Sequence, residues 1–358
     1  MSKEEEKGLR KEDLLHDGFQ DNLEPLEPLD LGKCKTVNDL VKAMSKTAFQ
    51  GRNLGEAVDV LEAMIKDKDC FVVLTLSGAM TPAKMGLIIC DLIDHGMVNA
   101  IISTGALITH GFVEAQGMAH FKYKFGEMND RELYYKGYDR IYDIIELEKN
   151  LDDTEDIIKD IIGKEDADIP LHSAKVTMLL GKYLHENIKG RGILKSAYEK
   201  NVPVFIPAFT DSELGLDIGV LNARRRMDGK KEFTFNSFAD LEEFSKLILK
   251  SKTLGIFTVG GGVPRNWAQQ TAPYLDILNK RLNLNQDDLY FKRYKYAVRI
   301  CPEPSFWGGL SGCTYSEGVS WGKIMPKEEG GMHAEVLCDA TIALPIVVKA
   351  VMERLGIK

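Results

Sequence analysis

The chain has no C-x-x-C pair, and none of its six cysteines stands at metal-ligand spacing from any of its seven histidines. That excludes the common zinc-ribbon and thioredoxin-like patterns. Cys70, Cys90 and Cys338 lie in apolar stretches, where cysteine behaves as a small hydrophobe, and the usage fits a reducing, cytoplasmic setting. There is no long hydrophobic run. The most apolar span, Val336 to Met352, is interrupted by Asp339, Pro345 and Lys349, so no membrane helix is expected. The first residues, MSKEEEKGLRKEDLLHDG, lack the apolar core of a signal peptide. Excess positive charge is also missing. Lys and Arg number 46 against 54 Asp and Glu, a formal net charge of -8, which argues against a general nucleic-acid binder. Arg224, Arg225, Arg226, Lys230 and Lys231 form one compact basic run, which a solvated loop explains as well as a phosphate site does. Finally, there is no G-x-G-x-x-G fingerprint.

What remains is a soluble composition of ordinary kind: 358 residues, 44% hydrophobic and 28% charged, enough for one large α/β domain. Residues 1–32 are charged and contain EPLEPLD, which reads as a loosely ordered arm. From Val37 to Lys68, apolar residues recur at helical spacing and predict two helices with a break near Gly51 to Gly55. Short apolar runs then alternate with helical patterns. The runs are Phe71–Leu76, Asn99–Thr104, Val202–Phe209, Leu254–Val259, Tyr296–Cys301 and Glu335–Cys338. Helical stretches fall at 84–96, 153–162, 174–187, 191–200, 238–251 and 266–281. This alternation predicts a Rossmann-like α/β fold over residues 33–358: a doubly wound, mostly parallel sheet with helices on both faces. Residues 120–150, rich in tyrosine and charge, read as an insertion packed over the sheet.

In such sheets ligands bind beyond the carboxyl ends of the strands. Three strand ends here carry small residues suited to a dinucleotide. Ser77-Gly-Ala-Met-Thr81 is expected to open a helix whose amides could hold phosphate. Thr104-Gly105 and Gly260-Gly261-Gly262 permit close backbone approach. Asp211 and Asp339 are candidates for ribose hydroxyls, with helix N-caps as the alternative role.

The densest segment is Gly308-Gly-Leu-Ser-Gly-Cys-Thr-Tyr-Ser-Glu317-Gly-Val-Ser-Trp321-Gly-Lys323, preceded by Trp307. Aromatic faces beside a carboxylate suit an ammonium on a methylene chain. A lysine walled by Trp and Gly can lose its proton through desolvation and form a Schiff base. The bland alternative is a surface lysine with tryptophans in the core.

Here the chain resembles the deoxyhypusine synthase family. The run Glu317-Gly-Val-Ser-Trp-Gly-Lys323 is similar to its active-site lysine motif. Further likeness lies in Thr47–Val58, Gly137–Ile141, Pro207–Asp211, Gly260–Val263 and Asp339–Ile342. The resemblance implies a homotetramer with NAD and active sites between subunits. It implies hydride transfer from spermidine to NAD, passage of the butylamine unit to Lys323 as an imine, delivery to an acceptor lysine of a translation factor, and reduction by the bound NADH. It assigns substrate contacts to Glu317 and Trp321, and NAD contacts to Ser77, Thr81, Thr104, Asp211, Gly261 and Asp339; Gly105 and Gly262 join the latter as neighbours.

Three positions depart from the family. His110 stands where a polyamine-binding glutamate is expected, and Leu216 where an aspartate is, with Asp217 next to it. Arg265-Asn266-Trp267 replaces the catalytic histidine. This pattern resembles the divergent archaeal and bacterial deoxyhypusine synthase-like branch. The amine pocket is then expected to use Glu317 as clamp, His110 as acceptor or proton shuttle, and Asp217, Trp307 and Trp321 as lining. Putrescine as acceptor (homospermidine synthase) and a catalytically silent relative are the alternatives. No metal is expected, because His110 and His120 have no carboxylate or Cys at ligand spacing.

Overall fold

The computed structural model of the chain describes residues 15–357. Of the expected arm, residues 1–14 therefore lie outside the described part. Its remainder, up to a single turn of 3-10 helix at Leu31–Lys33, is exposed, and it meets the body where the Glu27 amide donates to the Lys46 carbonyl at 3.1 Å.

Nine strands follow. They are β1 (Cys70–Leu76), β2 (Ala100–Ser103), β3 (Phe121–Lys122), β4 (Tyr138–Ile141), β5 (Ile144–Leu147), β6 (Val204–Phe205), β7 (Thr253–Val259), β8 (Tyr294–Ile300) and β9 (Met332–Val336). Six of them form one parallel sheet in the order β6-β2-β1-β7-β8-β9. Numbered within that sheet the order is 3-2-1-4-5-6, the doubly wound arrangement in which the winding reverses between its first and fourth strands, here β1 and β7.

Alternation along the strands builds two cores. Val72, Leu74, Leu76, Ile101, Phe257, Val259, Val298 and Ile300 face the helices Phe49–Lys66, Gly86–Asp94, Gly105–Ala115, Ser173–Asn187 and Ala340–Arg354. Val73, Ala100, Ile102, Phe205, Ile256 and Ala297 face Ser237–Lys250 and Gly262–Arg281 on the other side. A residue step of one switches layers, because the side-chain period of a strand is two. The strands predicted from sequence are present. Val202–Phe209 contributes only the two residues of β6, and the last strand ends at Val336, before Cys338.

Three local expectations fail. The first helix pair breaks at Lys46–Ala48, not at Gly51–Gly55. Both glycines lie inside Phe49–Lys66, and Gly55 is there for packing: a Cβ on it would sit 2.4 Å from the Cβ of Ser45. Residues 79–85 form turns, and the helix after β1 starts only at Gly86. The insertion at 120–150 builds its own antiparallel sheet, β3-β5-β4, anchored to the helix Gly105–Ala115 through Glu146 on β5 and His110. Among the described residues no helix is long and apolar enough to cross a membrane.

Candidate active site around Lys323

The segment after β8 is irregular until Thr314 caps a short helix, Tyr315–Ser320, by accepting from the Glu317 amide at 3.1 Å. Two arginines that sequence reasoning did not single out as a pair hold this segment in place. Arg265, on the helix Gly262–Arg281, donates to the carbonyls of Ser311 (3.3 Å) and Cys313 (2.7 Å) and lies over the Tyr315 ring at 5.1 Å. Arg299, on β8, donates to the same two carbonyls and to Glu335 Oε2, whose other oxygen accepts from the Tyr315 amide at 2.6 Å. Both arginines are buried. Arg265 stands near the position where the family has its histidine, and its guanidinium is occupied in holding the glycine-rich loop.

Lys323 follows Gly322, whose φ of +67° turns the chain out of the short helix. It does not lie beyond a strand's carboxyl end. Its carbonyl accepts from the amide of Tyr294, the first residue of β8, at 3.0 Å. Its side chain runs to the start of the helix Gly262–Arg281, where Nζ donates to Asn266 Oδ1 at 3.0 Å. Nζ also lies 5.5 Å from the centre of the Trp321 ring. Burial holds the ammonium below the usual lysine range, and the Arg265 charge acts in the same direction. The Cys313 thiol beside it is pushed up by burial and by Glu317, so it is no competing nucleophile.

These residues line a cavity of about 530 Å³, with Gly262, Val263, Gln269, Leu310, Glu317 and Trp321 in its wall. Glu317, Trp321 and Lys323 therefore share one cavity wall. Trp307 is 58% exposed on the same segment but outside that wall. Trp267 is the one tryptophan that packs in the core, against Phe205 and Phe244.

The expected cofactor positions divide. Ser77 joins the two strands of the winding reversal: its Oγ accepts from the Gly261 amide at 2.9 Å and donates to the Val259 carbonyl at 3.3 Å. A Cβ on Gly260 would lie 2.1 Å from that oxygen. Gly261 is pressed on Ser311, whereas Gly262, at φ +62°, has open space at its Cβ position. The helix starting there has no side-chain cap, and its first two residues, Gly262 and Val263, line the cavity. Thr104 precedes the next helix without capping it by its side chain, and Gly105 allows the approach of Ser212. Asp211 is exposed beyond β6. Asp339 is an N-cap, accepting from the Thr341 amide at 2.8 Å. Thr81 is fully buried, and its hydroxyl donates to the Leu107 carbonyl at 2.8 Å.

His110 and Asp217 stand apart from Lys323 within one chain. Neither lines the Lys323 cavity. His110 is buried with Nδ1 3.2 Å from Glu146 Oε2, and His120 Nε2 is 2.6 Å from the same oxygen. The carboxylate not found at ligand spacing in the sequence is supplied in space by Glu146. Glu146 comes from β5, far outside any local ligand spacing, and no sequence signal pointed to it. Asp217 sits half-buried near Glu155 and Glu213, and burial with those like charges pushes its carboxyl up to about 7. The basic run is neutralised: Arg224 pairs with Glu155, Arg226 with Glu232, Lys230 with Asp228 and Lys231 with Asp168.

The chain is thus an α/β protein with a doubly wound sheet and a half-buried lysine at a cavity beside an uncapped helix start. A sequence profile of the deoxyhypusine synthase family matches residues 39–351. "Probable deoxyhypusine synthase 2" of Methanosarcina acetivorans is 39% identical over 95% of this chain and 92% of its own length. "Deoxyhypusine synthase-like protein" of Chlorobaculum parvum is 35% identical over 90% and 88%. The crystal structure of an Entamoeba histolytica protein assigned as a deoxyhypusine synthase shares the fold, with a TM-score of 0.60 and 17% identity over 91% of this chain and 96% of that one. The chain belongs to the deoxyhypusine synthase family.

Proposed function

We propose that the protein is an NAD-dependent aminobutyl transferase. The observation that carries this reading is Lys323, half-buried, with an ammonium destabilised by burial and facing a 530 Å³ cavity walled by Glu317 and Trp321. A neutral lysine amine attacks an imine carbon of the oxidised polyamine; the bond to the departing diamine breaks, and the butylamine unit stays on Nζ as an imine. Asn266 accepts a hydrogen bond from Nζ and so aims it. Glu317 pairs with the far ammonium of the chain, and the Trp321 face covers its methylenes. An acceptor amine then takes the unit from Lys323, and the lysine is regenerated.

The residues fit NAD. The open Gly262 backbone and the uncapped helix start suit a diphosphate. Thr104, Gly105, Asp211 and Asp339 offer polar groups along the same edge of the sheet. NAD, when bound, supplies a store for the hydride between its removal and its return. Spermidine is the donor this reading favours, and the lysine of a translation factor the acceptor. Putrescine is the competing acceptor, because His110 and Leu216 stand where family carboxylates would be.

The test is borohydride trapping with NAD and labelled spermidine. Wild type should be labelled at Lys323, at a rate that rises with pH and levels off below the ordinary lysine range of about 10.4. Lys323→Arg keeps the charge but has no amine able to form the imine, and should stay unlabelled. Equal labelling of both would overturn the reading. Product analysis with the translation factor and putrescine in competition decides the acceptor.

A further inference from the structure

We propose that His110, His120 and Glu146 form a binding site for one divalent metal ion of the zinc class, outside the Lys323 cavity of the same chain. The ion would pin the small antiparallel sheet to the helix that follows β2. His110 comes from that helix, His120 from the residue before β3, and Glu146 from β5. Their side chains are 10%, 1% and 0% exposed, and one ligand atom of each lies within 4.8 Å of the others. Two imidazoles and a carboxylate are a common zinc set that leaves a fourth position open.

Three observations point to a ligand and not merely to a packed cluster. His120 Nε2 is buried and has no hydrogen-bond partner, although Glu146 Oε2 is 2.6 Å away; the approach is close but not aligned for a hydrogen bond. Glu146 is oriented from behind. Its Oε1 accepts from Asn150 Nδ2 at 2.7 Å and from the Leu147 amide at 2.9 Å, which leaves Oε2 turned to both histidines. Outer hydrogen bonds of this kind fix metal ligands. Asp139 is paired directly opposite Glu146 across β4 and β5. Like charges directly opposite one another in a sheet are destabilising, and a cation held on Glu146 offsets that repulsion.

The two His–Glu distances need little change. Ligands about 2.0–2.1 Å from a tetrahedral ion stand about 3.3 Å apart. The His110–Glu146 separation is 3.2 Å, and the shorter His120–Glu146 contact would open slightly. One group opposes the ion. Lys84 Nζ lies 2.9 Å from His120 Nδ1 and 3.3 Å from Glu114 Oε1. A metal on Nε2 requires the ring proton on Nδ1, so Lys84 must turn fully to Glu114. Removing that ammonium should therefore tighten binding.

The experiment uses the full chain, stripped with chelator and titrated with Co²⁺. Visible absorption of a four-coordinate ion should appear with one equivalent, Zn²⁺ should displace it, and Zn²⁺ should raise Tm. His120→Ala should abolish the band. Asn150→Ala should weaken Co²⁺ binding by about 10–100-fold, the scale of a lost outer-shell partner. Lys84→Met should strengthen it. Absence of the band in wild type, or an unchanged band in His120→Ala, overturns the site. If His120→Ala does not fold, unchanged affinity in both Asn150→Ala and Lys84→Met does the same.

Discussion

Asp217 is an example of a carboxylate whose neighbours matter more than its position in a motif. Its half-burial first, and then its neighbours Glu155 and Glu213, push its carboxyl up to about 7, against about 3.9 for an unperturbed aspartate. The folded state therefore holds this proton more tightly than the unfolded state does. The stability this gives is complete below about pH 4 and disappears as pH rises through 7. Asp217→Asn keeps the shape and removes the charge. At pH 8 it should be more stable than wild type by about 1–2 kcal/mol, allowing for water around a half-exposed group. At pH 4 the two should unfold at the same urea concentration. Equal stability at pH 8 would show that the carboxylate is not strained. The same scale shows what sequence could and could not supply. Lys323, Glu317 and Trp321 could be grouped from sequence because they share one short run; composition left a surface lysine as the alternative, and the resemblance to the family motif singled the run out. Glu146 was not legible, because its partners lie 26 and 36 residues away and meet it only through tertiary folding. The bond from the Thr81 hydroxyl to the Leu107 carbonyl was not legible either, because a hydroxyl near a glycine looks the same in sequence whether it faces a ligand or a carbonyl.

At the scale of elements, the sheet was readable and the breaks were not. Apolar runs such as Phe71–Leu76 and Leu254–Val259 are buried on both faces, so composition alone marks them as strands. Glycine is ambiguous, since it ends helices and also lets them pack closely. Gly51 and Gly55 separate the two roles within one helix. At Gly51 the nearest atoms to an added Cβ are Thr47 Oγ1 at 3.4 Å and a methionine methyl, an ordinary contact. At Gly55 the added atom would lie 2.4 Å from Ser45 Cβ and 2.6 Å from Ser45 Cα in the preceding helix. Gly51→Ala should therefore gain up to about 1 kcal/mol of helix propensity. Gly55→Ala should lose on the order of 1–3 kcal/mol through overpacking. Urea unfolding of the two variants measures both. A stabilised Gly55→Ala would mean that the two helices are not in close contact there.

For the whole molecule, the segment that carries the lysine also presents an apolar surface. Phe306 is 83% exposed, Trp307 58%, Leu310 64% and Trp321 63%. The Phe306 and Trp307 rings lie 6.4 Å apart, the Leu310 amide donates to the Trp307 carbonyl, and Leu310 and Trp321 share the cavity wall. Large side chains clustered at a cavity mouth are costly to leave in water, and such clusters mark interaction sites. A second copy of the chain is the occupant that a site shared between subunits would require. Burying these faces would also remove water from around Lys323 and depress its ammonium further, so assembly and amine reactivity should rise and fall together. Light scattering should give a tetramer, or at least a dimer. The double variant Phe306→Ser, Trp307→Ser touches neither Lys323 nor Glu317. It should shift the protein toward monomer and reduce borohydride trapping at Lys323 in proportion. A monomeric wild type that still traps spermidine would mean that one chain builds the whole pocket.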